Sequence, residues 1–154
     1  MRMRIIKVFS WAAVAWVAFG CGMTTVQVPP VQTPPPMNPG PGQPVSLSQD
    51  VQPIFTAHCA SCHRDGGGAA VFFGIKIRLD SSDDAFSTLV NQTSVQNSSF
   101  TLVKPSDSAN SLLYLKISSN NPPVGSRMPL LSSPLSDSQI QTIKDWIDQG
   151  AADN

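Results

Sequence analysis

The feature that most constrains this chain is the five-residue run Cys59-Ala60-Ser61-Cys62-His63. The 154 residues contain only three cysteines and two histidines, and three of these five side chains lie in this run. Two thiols three positions apart lie on the same side of a helical turn. The next residue is rotated by about 100° around that turn. One bound group can therefore be reached by both thiols and the imidazole.

The spacing Cys-x-x-Cys-His is the attachment signature of a c-type haem. Cys59 and Cys62 would add to the two vinyl groups of one porphyrin, and His63 would bind its iron. A zinc site would need a fourth ligand, and a thioredoxin-type dithiol would lie at a helix N-terminus. These two alternatives, and a disulfide between the two cysteines, stay open. Haem is the preferred interpretation because it uses all three side chains, and it predicts one covalent haem c.

Met128 is the candidate for the second axial ligand of the iron. It is the only methionine between residues 45 and 154, and Pro129 follows it. Proline biases the preceding residue towards an extended backbone, which suits a ligand delivered from a loop. A thioether ligand opposite histidine raises the reduction potential. The alternatives are His58, adjacent to Cys59, and Lys104.

Apolar side chains at helical spacing predict four helices in residues 45–154. They cover residues 50–59 with Asp50 as the N-cap, 82–90, 109–117, and a last helix between a Ser136–Gln139 capping box and Gly150. The alternation over residues 75–79 predicts a short strand. Long loops separate these elements, so something other than side chains must fill part of the core.

The motifs and their order resemble a class I c-type cytochrome over residues 47–152. The resemblance rests on Val51–Phe55, Cys59–His63, Leu79–Ser81, Leu89–Asn91, Lys104–Asp107, Ser111–Leu113, Arg127–Pro129 and Leu135–Ala151. It implies an all-α, cytochrome c-like fold of about four short helices with long loops around one covalently bound haem. It also implies that His63 and Met128 are the axial ligands. Ser106 stands where relatives often have glycine.

The resemblance also implies how the haem is surrounded. Val51 and Phe55 of the first helix should meet Ile143 and Trp146 of the last. We expect the haem to be lined by Phe72, Phe73, Leu112, Leu113, Leu130 and Leu131. The run Gly66–Gly68 would permit a close backbone approach or a flexible loop. Of the three arginines that could pair with haem propionates, Arg64, Arg78 and Arg127, the best candidate is Arg127.

The N-terminal residues predict export and a membrane tether. Residues 1–20 combine three basic residues with an apolar run, as a secretory signal does. Gly20-Cys21 resembles the lipobox of bacterial lipoproteins, which implies lipidation of Cys21; an ordinary signal or an uncleaved anchor is the alternative. Residues 21–44 are a proline-rich tether. The domain organisation is therefore signal 1–20, tether 21–44 and cytochrome domain 45–154.

Charge and motif together predict an exported electron carrier. Without residues 1–20 the chain has seven basic residues against ten Asp, a formal charge of −3, which disfavours nucleic-acid binding. We expect a periplasm-facing mono-haem protein, not an enzyme, that exchanges electrons with a protein donor and a protein acceptor. Gly22 after Cys21 favours the outer membrane. Two alternatives stay open: a peroxidase or gas-binding haem module with a labile sixth ligand, and a structural or sensing haem domain.

Overall fold

The computed structural model describes residues 42–154, which form five α-helices and no β-strand. The helices are α1 Gln52–His58, α2 Gly68–Phe73, α3 Ser82–Leu89, α4 Leu112–Ser118 and α5 Asp137–Asp148. A π-helical turn, Leu47–Val51, leads into α1, and a 3₁₀ turn, Ser108–Asn110, precedes α4. The predicted all-α fold class is confirmed, and α1, α3, α4 and α5 are the four predicted helices.

The first helical segment begins earlier than predicted, so the assignment of Asp50 as its N-cap is wrong. Ser46 is the cap, because its side chain accepts a hydrogen bond from the backbone N–H of Gln49. Asp50 instead accepts a bond of 2.8 Å from the N–H of Ser46. The two side chains thus satisfy backbone donors at opposite ends of one turn. Pro53 lies in the first turn of α1, where its missing N–H costs nothing.

The predicted strand over residues 75–79 is also wrong. The segment is extended, but no neighbouring strand pairs with it in residues 42–154. Its backbone donors bond elsewhere: the N–H of Arg78 to the Thr88 hydroxyl at 3.1 Å, and the N–H of Leu79 to the carbonyl of His63 at 2.8 Å. Alternating polarity here reflects one side of the segment facing the core, with Leu79 buried.

Helix α5 closes the core as its apolar stripe predicts. Ser136 and Gln139 form the expected capping box, and Gly150 follows the helix with φ of 109°. Ile143 and Trp146 are fully buried in one cluster with Val51 and Phe55. Helix α5 packs against the π-helical turn that precedes α1, and against α4. The first and last helical segments therefore share one core.

Two further contacts attach loops to α5. Ser106 adopts a left-handed backbone, with φ of 62°, and its N–H bonds to the Ile147 carbonyl at 2.7 Å. Ser106 thus adopts a left-handed conformation of the kind that favours glycine. The N–H of Val45 bonds to the Gln149 side chain at 2.7 Å, which holds the start of the domain against the end of α5.

The signal segment, the lipidation candidate Cys21 and nearly all of the tether lie outside the described residues. Their predicted boundaries stay predictions. Within residues 42–154 no helix has the length and apolar character needed to cross a membrane.

Asp148 provides a test of how α5 is attached to the 3₁₀ turn. Burial raises the pKa of this carboxyl, but hydrogen bonds from Lys144 and Ser108 outweigh it, so the pKa lies below its ordinary value. A group with a lowered folded-state pKa stabilises the fold above its unfolded value, near pH 4, and loses that effect as the pH falls through the folded value.

We expect Asp148→Asn to lower the free energy of unfolding by about 1 kcal/mol at pH 7, because a charge-assisted acceptor is lost. The difference from the parent should be smaller at pH 3 than at pH 7, because the carboxyl loses its charge as the pH falls through its lowered pKa. Urea unfolding at both pH values measures it, with Asp153→Asn as a control of equal charge change. An effect of Asp148→Asn that is the same at pH 7 and pH 3 would contradict the assignment.

Candidate functional site

The motif Cys59–His63 continues the turn at the end of α1. The N–H groups of Cys59 and Ala60 both bond to the carbonyl of Phe55, at 2.8 and 2.9 Å. The N–H groups of Cys62 and His63 then bond to the carbonyl of Cys59, at 3.1 and 2.9 Å. This winding places both thiols and the imidazole at the wall of a single cavity. Both thiols are free.

The cavity has a volume of about 760 Å³, within the ~300–1,000 Å³ typical of sites for small molecules and cofactors. Its wall is largely apolar. All six apolar side chains predicted to surround a haem contribute to it: Phe72, Phe73, Leu112, Leu113, Leu130 and Leu131. Helices α2 and α4 and the segment after Met128 therefore supply the apolar surroundings that the long loops lack.

Met128 lines the same cavity as the two cysteines and His63. It is half-buried, packs against the core, and its N–H donates to the carbonyl of Lys116 at 2.8 Å. The peptide bond between Met128 and Pro129 is cis. The structure thus brings all four predicted haem-binding side chains to one cavity.

The electrostatics of the motif differ from those of a redox dithiol. Burial, and then the charge of Cys62, raises the pKa of the Cys59 thiol to about 11. Reactive cysteines of the thioredoxin type have lowered pKa values. Cys59 also caps the C-terminal end of α1, whereas such thiols lie at helix N-termini. Neither property favours the dithiol alternative.

The zinc alternative has no support in the described residues. Across residues 42–154 no three His, Cys or Asp side chains are grouped closely enough to hold a metal ion by themselves. A structural zinc ion needs four such ligands. Two thiols, one imidazole and one thioether around an apolar cavity instead match the needs of an iron porphyrin.

The environment of His63 favours metal binding by its imidazole. Burial, and then the positive charge of Lys116, lowers the pKa of this imidazole, so the neutral form is favoured. Neutral imidazole is the form that binds metals. Its Nδ1 is buried and has no hydrogen-bond partner within residues 42–154. A buried polar atom without a protein partner fits a side chain that is completed by a bound group. The residues present therefore fit a haem.

The other candidate ligands are engaged elsewhere. His58 lines the cavity, but its Nε2 lies 3.0 Å from Nε2 of Gln139 on α5. Lys104 does not line the cavity, and its ammonium forms an ion pair of 2.7 Å with Asp107. Neither arrangement competes with Met128.

Arg127, the predicted propionate partner, is not part of the cavity wall. Its Nε donates to the carbonyl of Ile117 at 3.1 Å, and its Nη1 bonds to the side chain of Asn120. These contacts tie Arg127 to the end of α4. Its contact with a propionate stays a prediction. Arg78 pairs with Asp84 and with Asp65.

Sequence reasoning missed two contributors to the site. Helix α2 is not among the four predicted helices because it has only six residues, and its three large apolar side chains, Val71, Phe72 and Phe73, are all more than 60% exposed. Lys116 was not singled out, although it lines the cavity. The sequence indicates this position, because Lys116 follows the buried Leu112 by four residues and therefore lies on the same face of α4. Burial lowers the pKa of Lys116.

This chain is similar to known proteins in sequence and in structure. The family model described as cytochrome c matches residues 48–151. No curated protein matches the chain. Among solved structures, the hydrazine synthase of Kuenenia stuttgartiensis is similar at 26% identity and a TM-score of 0.43, with 70% of this chain covered. The matched region is 16% of that chain.

Proposed function

Because the chain belongs to the cytochrome c family, and is thus a haem c-binding electron-transfer module, we propose that it carries single electrons through one haem held between His63 and Met128. We also propose that it acts on the periplasmic side of a bacterial membrane, tethered by a lipid on Cys21. The observation that carries the proposal is the meeting of Cys59, Cys62, His63 and Met128 at one apolar cavity.

The four side chains would have three roles: covalent attachment, nitrogen ligation and sulfur ligation. Cys59 and Cys62 would bind the porphyrin through two thioether bonds, so that it stays attached in both oxidation states. His63, neutral because it is buried, would supply the nitrogen ligand from the end of α1. Met128 would supply a soft, uncharged ligand from the loop between α4 and α5. The haem, when bound, supplies an iron that alternates between Fe(II) and Fe(III).

The rest of the cavity controls water and potential. Leu112, Leu89 and Ile117 are buried and line the wall, so they exclude water from the site. Low polarity disfavours the form of the metal with the higher charge, and a thioether ligand acts in the same direction. Both features would support a higher potential than two imidazoles in a wet site would.

Exchange with partners requires that one edge of the site be accessible. Two groups of exposed apolar side chains lie at the cavity wall, Phe72 and Phe73 from α2, and Leu130 and Leu131 after Met128. We propose that a protein donor and a protein acceptor approach there. The formal charge of −3 without residues 1–20 favours partners with a basic docking surface.

The export proposal rests on the N-terminal residues. Residues 1–20 carry the basic and apolar pattern of a secretory signal, and Cys21 follows a small residue. A lipid on Cys21 would hold the domain at a membrane, and the outer membrane is the proposed one. At ~3.1 Å per residue, a proline-rich tether of residues 21–44 would reach about 70 Å.

The test is the mass and absorption spectrum of the chain exported from a host that attaches haem c. We expect a mass increase of one haem, sharp bands on reduction and a one-electron potentiometric titration. Cys59→Ser/Cys62→Ser should abolish the colour. Cys21→Ser, the matched control, should keep the colour and release the protein from the membrane. A colourless parent would overturn the haem proposal, and a coloured protein that binds CO as fast as it mixes would favour the labile-ligand alternative.

A further inference from the structure

The segment that delivers Met128 has no regular structure of its own. Residues 119–128, here called the ligand loop, connect the end of α4 to Met128 and contain no helix or strand. A ligand carried on such a segment keeps its place only if other elements hold the segment. The contacts between the ligand loop and α4 therefore decide how firmly the sulfur is positioned.

Lys116 makes two such contacts, one from its backbone and one from its side chain. Its carbonyl accepts the N–H of Met128 at 2.8 Å. Its Nζ donates to the carbonyl of Val124 at 2.8 Å. One residue of α4 thus holds the ligand loop at Met128 itself and four residues earlier.

The ammonium of Lys116 has no carboxylate partner among the described residues. The ion pairs found in residues 42–154 involve Arg78, Lys104 and Lys144. The charge of Lys116 is instead directed at a backbone carbonyl, the kind of charge-assisted bond that is stronger than a neutral one. This half-buried lysine therefore directs its ammonium at the backbone of the ligand loop.

The backbone of the ligand loop lies close to this ammonium at Gly125. Gly125 has φ of 60°, and a Cβ placed on it would lie 3.1 Å from Nζ of Lys116. Any side chain at this position would crowd the ammonium and strain the backbone. The absence of a side chain at Gly125 lets the loop backbone lie directly against the lysine.

We propose that Lys116 is a positioning residue that holds Met128 in place and so keeps the sixth iron position closed to outside ligands. This inference rests on the proposed function, in which Met128 binds the iron. It explains how a ligand on an irregular loop can serve an electron carrier, which needs a constant sixth ligand, rather than a module that binds small molecules.

The test measures how fast imidazole binds to the oxidised holoprotein, by stopped-flow absorbance. Lys116→Leu keeps an apolar side chain but removes the donor and adds no atom that could bind the iron, and we expect imidazole to bind about tenfold faster. That factor corresponds to the loss of one charge-assisted hydrogen bond, at the lower end of its usual range. Lys116→Arg, which keeps a donor, should restore most of the parent's slow binding.

Lys144→Leu is the matched control. Its replacement changes the charge equally, but Lys144 lies on α5, pairs with Asp148 and does not line the cavity. We expect it to bind imidazole as slowly as the parent. If Lys116→Leu does not fold, Lys116→Ala takes its place, since it also lacks a donor, and the same direction of change is expected.

Different results are expected if Lys116 does not position Met128 and if Met128 does not bind the iron. If Lys116→Leu binds imidazole no faster than the parent or Lys144→Leu, and Met128→Ala binds it much faster, then Met128 is the ligand but Lys116 does not position it. An equal acceleration in Lys144→Leu would make the effect one of charge, which also overturns the inference. If the parent already binds imidazole as fast as Met128→Ala, the proposed ligation fails, and this inference with it.

Discussion

Replacing Met128 with alanine is expected to lower the reduction potential of the holoprotein by on the order of 0.1 V or more, since axial ligands set haem potentials over a range of about 0.8 V. The physical reason is the loss of a soft, neutral sulfur that favours the reduced iron. The side chain lines the cavity together with the two cysteines and His63. No other methionine lies in residues 45–154 to replace it.

Potentiometric titration of the parent and the variant measures this shift, and the absorption spectrum reports whether the iron has lost its sixth protein ligand. Met37→Ala, which removes a methionine from the predicted tether, is the matched control and should leave both properties unchanged. A Met128→Ala protein with the potential and the spectrum of the parent would show that another group completes the iron coordination.

The second large effect is expected at Gly67, where the chain passes close behind the haem-binding motif. A Cβ placed on Gly67 would lie 2.3 Å from the carbonyl oxygen of Cys62. This is a backbone atom, and it accepts the N–H of Ala69 at 3.2 Å, so it cannot move aside without breaking the turn. Gly67→Ala must therefore displace either the motif or the start of α2.

We expect Gly67→Ala to lower the free energy of unfolding by about 3 kcal/mol, the upper end of the usual cost of overpacking. For a domain of this size that corresponds to a fall in Tm of more than roughly 10 °C. Because Cys62 is one of the two attachment residues, the yield of haem-containing protein should fall as well.

Gly68→Ala is the control, since it changes the adjacent residue in the same way. A Cβ there would be 3.7 Å from its nearest neighbour, the ring of Phe72, and Gly68 is the first residue of α2. Alanine favours helix over glycine, so the stability should stay equal or rise by up to about 1 kcal/mol. Thermal unfolding followed by circular dichroism compares the two variants, and equal stability of both would contradict the close approach at Gly67.

Local patterns were sufficient for the parts of the fold that depend on neighbouring residues. The capping box of Ser136 and Gln139 and the stripe ending at Ile147 predicted α5 correctly, because capping and helical periodicity act within a few residues. The same applies to the motif at the end of α1, whose spacing places three side chains on one turn. These features predict the confirmed fold class and the proposed attachment of haem.

Other features could not be predicted because they depend on residues far apart in the chain. The segment 75–79 has strand-like alternation, but its hydrogen-bonding groups meet Thr88 and His63 instead of a second strand. Helix α2 buries too little apolar surface to show a periodic pattern. With only six residues it is also shorter than a helix that propensity alone would make stable, so its sequence gives little signal.

By itself, the amino-acid sequence pointed to a haem c and to the side chains proposed to bind it, because two thiols and an imidazole at this spacing suit one macrocycle and its metal. Only the tertiary structure decided what holds Met128, when it placed Lys116 of α4 against the ligand loop and turned Arg127 away from the cavity. Loop positions depend on contacts between segments that are distant in the chain, and no short pattern of residues encodes such contacts.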